Sequence, residues 1–105
     1  MLEIKYSYEI DEFGVITNLE DKKNVVYEIR AYLVGTLENG AQQKQLFITR
    51  IPTDNLNNFI EYQDLTKEIS DSWIDSYTSS EQMESLKQKV VDMFYPKTAY
   101  YKPLF

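Results

Sequence analysis

The dipeptide Asn39-Gly40 stands between two runs of extended character, and this arrangement narrows the fold more than any other feature of the chain. Asn-Gly supplies the positive-φ residues that a tight hairpin turn needs. Before it, residues 25–37 (Val-Val-Tyr-Glu-Ile-Arg-Ala-Tyr-Leu-Val-Gly-Thr-Leu) are rich in β-branched and aromatic side chains, as a long strand should be. Gly35 predicts a bulge or bend near the end of that strand. After the turn, residues 42–51 resume extended character and stop at Pro52. Upstream, Leu2, Ile4, Tyr6, Tyr8 and Ile10 share one parity, and Glu3, Lys5, Ser7 and Glu9 the other, which predicts a strand over residues 2–10 with one wet face. Residues 11–24 are polar and mostly acidic around Gly14, interrupted by Phe13, Val15, Ile16 and Leu19. They read as a connection with an extended middle. The pattern therefore predicts an antiparallel meander of three strands, or four if that middle forms its own.

Beyond Pro52 the period lengthens. Residues 53–58 are loop-like, and Thr66 is a good N-cap with Glu68 in the first turn behind it. Leu65, Ile69, Trp73 and Tyr77 recur every four residues with Ile74 beside them, predicting a helix over 67–77 that buries this stripe. Ser79 and Gln82 form a capping-box pattern that opens a second helix over 80–95. Met83, Leu86, Val90 and Phe94 share its inner face, Glu84 and Lys87 can pair outside, and Pro96 ends it. The fold class is thus α+β, with both helices packed on one face of the sheet. Residues 1–95 form one domain, and residues 96–105 an extended aromatic tail.

Composition excludes several functions. A chain of 105 residues has room for one domain. It carries 11 Lys and Arg against 17 Asp and Glu, a net charge of -6, so nucleic acid would meet a repulsive average field. There is no cysteine and no histidine, which removes thiolate nucleophiles, sulfur and imidazole metal ligands, and the usual general base near neutral pH. Ser79 and Ser80 have no Gly-x-Ser-x-Gly elbow or Ser-x-x-Lys pair around them, and capping accounts for them. Gly14, Gly35 and Gly40 are too dispersed for a phosphate-cradling loop. Glu9, Asp11, Glu12, Glu20 and Asp21 could bring oxygens to a calcium or magnesium ion, but their spacing fits no ligand loop, and they read as solvated charges around a turn. The expectation is a protein that is not an enzyme and holds no cofactor or metal. The opening residues carry acid where an export signal would carry positive charge, and apolar stretches are far shorter than the ~20 residues a membrane span needs. The chain is expected to be soluble, with no membrane partner, and to act where it is made.

Nine Tyr, five Phe and one Trp exceed what three strands and two helices need for a core. Tyr6, Tyr8, Tyr27 and Trp73 lie on apolar parities and are expected in the core. Tyr32 shares parity with Glu28 and Arg30 on the wet side, where tyrosine is a favoured contact residue. The tail holds Tyr100, Tyr101, Pro103, Leu104 and Phe105, an apolar ending where chain ends are usually polar. Such a segment either folds back on its own domain or docks into a neighbour. Tyr100, Tyr101, Leu104, Phe105 and Tyr32 are the candidate partner-binding residues.

The stretch from Phe59 to Ile69, with Tyr62-Gln63-Asp64-Leu65-Thr66-Lys67-Glu68 at its centre and Trp73-Ile74 after it, resembles a family of small tailed-bacteriophage proteins of unknown function. Lys102-Pro103-Leu104-Phe105 is similar to that family's Pro-Leu-aromatic ending, although this tail has fewer prolines and the acidic connection is longer. The resemblance implies a phage origin and no reaction. For a phage protein without catalytic residues, the aromatic tail favours a virion or assembly component that contacts other phage proteins or further copies of itself; it is expected in the host cytoplasm during infection, and in the particle if that role holds. The acidic balance supports the alternative, an early protein that binds and modulates a host factor, by charge mimicry for example.

Overall fold

The structure, a computed structural model, describes residues 3–54 and 60–105. Leu2 of the first predicted strand, most of the loop after Pro52, and Phe59 at the start of the resembling stretch lie outside the described residues. Three strands, β1 (Ile4–Leu19), β2 (Lys22–Leu37) and β3 (Gln42–Arg50), form one antiparallel sheet in the order β1-β2-β3. A short 3-10 turn, Tyr62–Asp64, precedes helices α1 (Lys67–Tyr77) and α2 (Ser80–Phe94). The α+β arrangement of a meander followed by two helices is as the sequence predicts.

The main difference lies in residues 11–24. They form no acidic loop and no fourth strand: they are the far halves of β1 and β2, joined by a two-residue turn at Glu20 and Asp21 with Glu20 at φ 56°. Two bulges explain why the alternation looked broken. Ile10 pairs with Ala31 and Glu12 with Arg30, so Asp11 is an extra residue in β1. Gly14 pairs with Glu28 and Val15 with Val26, so Tyr27 is extra in β2. Each extra residue inverts the inward parity. The core side of β1 passes from Tyr6, Tyr8 and Ile10 to Phe13 and Val15, all packed against the core. Read without the bulge, that inversion looks like the end of a strand. The ring of Tyr27 covers Gly14, where a Cβ would lie 3.1 Å from it.

The second hairpin has a three-residue loop. Gly40 N–H donates to Leu37 O at 2.9 Å, and Leu37 N–H donates to Ala41 O at 2.9 Å. Gly40 alone takes positive φ, at 88°, and Asn39 Oδ1 instead accepts from Ala41 N–H at 3.0 Å. This is a turn closed by a left-handed glycine rather than one with both residues left-handed.

Both helices pack on the side of the sheet carrying Ile29, Ala31, Leu33 and Phe47, and with Ile74, Leu86 and Val90 these make the core. Thr66 Oγ1 accepts from Ile69 N–H, and the Ser79–Gln82 capping box is complete. On α2, Leu86 and Val90 are buried with Met83 and Phe94 against the core, as predicted. On α1 the inner line is shifted by one residue. Ser70 and Ile74 are buried, Trp73 is half-buried, and Tyr77 is exposed. Ser70 can face inward because its hydroxyl donates to Thr66 O at 2.9 Å, leaving no unpaired polar group, and its small size lets α1 approach the sheet. At Gly35 the expected bulge is absent: it pairs in register with Tyr6 and Gln43. The glycine serves α2, since a Cβ there would lie 2.5 Å from Val90 Cγ1 and 3.0 Å from Ile4 Cγ2.

Candidate functional site

The tail after α2 has no regular secondary structure. Tyr100, Tyr101, Leu104 and Phe105 are 104%, 92%, 105% and 108% exposed, so none of them packs on this domain. Of the two arrangements open to an apolar tail, the fold-back is not the one observed. Four large apolar side chains in water are a standing hydrophobic cost, relieved only when another surface covers them.

Tyr32 lies elsewhere, on the face of the sheet turned away from the helices. It pairs with Glu9 on one side and Leu46 on the other. Lys44 Nζ sits 4.3 Å from the Tyr32 ring centroid and 3.3 Å from Glu9 Oε2. The tyrosine is thus half-buried beneath a cation that also pairs with a carboxylate. Leu46 and Ile48 beside it are 46% and 44% exposed, which sequence reading did not single out. Further along the same face, Glu28 is buried, with its two oxygens meeting Arg30 Nε at 3.4 Å and Arg50 Nε at 3.2 Å. This cluster bridges the paired strands β2 and β3 and leaves both guanidinium groups largely exposed.

A third region lies on the helix side, where the N-terminal half of the edge strand β1 meets α1 and α2. Tyr6, Tyr8, Leu33 and Met83 floor a cleft of about 510 Å3, with Asp71, Asp75 and Lys87 on its rim. Tyr8 Oη donates to Asp75 Oδ1 at 2.6 Å, and Lys87 Nζ stands 5.3 Å from the Tyr6 ring centroid. The expected Glu84–Lys87 ion pair is not formed among the described residues; Lys87 rests on the Tyr6 ring instead. Burial, and then the Asp75 carboxylate, push the Tyr8 hydroxyl well above its ordinary value of 10.0. Burial and the nearby Glu84 raise Tyr6 as well.

The sign of the Tyr8 effect gives a test. Below pH 10 the phenol is protonated in folded and unfolded chains alike. Above it the unfolded chain loses the proton first, so stability falls as pH rises toward the folded value. Tyr8→Phe should cost about 1 kcal/mol at neutral pH, as a lost hydrogen bond does, and its melting temperature should decline less steeply than the parent's above pH 10. Parallel alkaline profiles would contradict the assigned contact.

Among the described residues, no group of three or more His, Cys, Asp or Glu could hold a metal ion. The acidic residues from Glu9 to Asp21 are spread along a strand and its turn rather than gathered in a loop. Also among the described residues, no helix is long and apolar enough to cross a membrane. Comparison with known protein families, with curated proteins and with solved structures finds no match for this chain.

Proposed function

We propose that this protein is a non-enzymatic interaction module that joins a neighbouring protein through its aromatic tail, and that it serves as a virion or assembly component of a tailed bacteriophage. The observation that carries the first part is the complete exposure of Tyr100, Tyr101, Leu104 and Phe105 in an extended segment. An extended aromatic arm loses little backbone freedom beyond its own length on docking, and it covers its apolar groups only in a partner. The phage setting rests on the resemblance carried by Tyr62, Leu65, Thr66, Glu68, Trp73 and the Pro-Leu-Phe ending.

Quantitative mass spectrometry of purified particles, scaled against the major capsid protein, tests the virion role. A fixed ratio is the expected result. Absence from particles together with abundance in infected cells would overturn it and favour the host-directed alternative, for which the net charge of -6 is the supporting feature.

A further inference from the structure

The partner of the tail can be specified from complementarity within the chain, given the reading of the tail as a docking arm. Residues 97–105 hold two of the eleven Lys and Arg, Lys97 and Lys102, and none of the seventeen Asp and Glu. A basic, aromatic segment thus extends from a body whose balance is strongly acidic. The cleft between β1, α1 and α2 offers carboxylates over an aromatic floor, and among the described residues its one lining cation, Lys87, is engaged on the Tyr6 ring at 5.3 Å. Its floor of Tyr6, Tyr8, Leu33 and Met83 is apolar and aromatic, and methionine adapts its shape to an entering side chain. The carboxylates on its rim differ. Asp71 is neutralised by Lys67 at 2.6 Å. Asp75 gives one oxygen to Tyr8, and among the described residues no cation lies within ion-pairing distance of it.

We propose that this cleft receives the tail of a second copy of the chain, with Lys102 paired to Asp75 and the flanking aromatic side chains laid on the Tyr6–Tyr8–Met83 floor. The contact is heterologous, arm into cleft. Reciprocated, it closes a dimer; propagated around an axis, it builds a ring of subunits, the form a repeated particle component would need. Charge attraction guides the encounter, and burial of the aromatic groups holds the complex.

Sedimentation of the full chain over about 1 to 100 µM, the range of a modest interface, should show mass rising with concentration. Lys102→Glu, in a fully exposed segment that the fold does not use, should weaken association roughly tenfold by turning an attraction into a repulsion. Asp75→Asn keeps an oxygen for Tyr8 and should weaken it by about threefold, as loss of one exposed ion pair does. Mixing the Lys102→Glu chain with an Asp75→Lys chain should form a complex tighter than either chain forms alone. A chain that stays monomeric at the highest concentration overturns the proposal, as does association indifferent to Lys102→Glu and Asp75→Asn. Tail protection that is independent of concentration overturns it too, because the cleft would then hold its own arm. A monomeric chain found in particles at a fixed ratio would sink self-capture while leaving the virion reading intact; a self-associating chain absent from particles would do the reverse.

Discussion

Gly35→Val should destabilise the protein by about 3 kcal/mol, the upper end of what overpacking a core costs, and lower its melting temperature by roughly 12 °C or more. The cause is the approach of α2. A single Cβ at position 35 would already lie 2.5 Å from Val90 Cγ1 and 3.0 Å from Ile4 Cγ2, with Phe94 at 3.4 Å, and valine adds two further carbons. Val90 is fully buried and cannot move aside without lifting α2 from β2. Adding Val90→Ala should therefore recover part of the loss. The two changes should be non-additive by about 1 kcal/mol or more, as contacting residues are. Additive effects would place the tight contact elsewhere and return Gly35 to the backbone role its sequence context suggested.

Ile74→Ala is expected to cost about 3 to 4 kcal/mol, within the range for emptying a buried aliphatic site, because Ile74 is 0% exposed at the centre of the core. Tyr77→Ala, one turn later on the same helix, should cost well under half of that, since Tyr77 is 45% exposed. The pair measures the rotational phase of α1. Were the line through Ile69, Trp73 and Tyr77 the buried one, the order would reverse. Urea denaturation with an unchanged slope would show that both changes act on the folded state.

These two sites also show where sequence reasoning succeeds and where it stops. The caps at Thr66 and Ser79, the α2 stripe and the order of elements are local in origin, set by backbone hydrogen bonds and side-chain spacing, and were legible for that reason. The reach of β1 to Leu19 was not, because Asp11 and Tyr27 shift the alternation and nothing in the residues themselves marks a bulge. The phase of α1 depends on Ser70 satisfying its hydroxyl on Thr66 O, a tertiary solution that lets a polar residue displace an apolar one from the inner line. The role of Gly35 is likewise tertiary, written in Val90 more than in its neighbours along the strand. For the candidate site, the clustering of Tyr100, Tyr101, Leu104 and Phe105 in a segment without helical period stood out. The cleft this segment is proposed to fill did not, since Tyr6, Tyr8, Asp75 and Met83 come from three separate elements.

Residues 97–105 are exposed on their own domain, and their proposed place is on a neighbour. The direct test is calorimetric melting of the chain ending at Pro96 beside the full chain, at a concentration where the full chain is monomeric. Because the tail makes no apolar contact with its own core, the shortened chain should melt in one cooperative transition within about 2 °C of the parent, a difference of well under 1 kcal/mol. A fall of about 10 °C, or loss of the cooperative transition, would mean that the tail is part of the fold and not a docking arm.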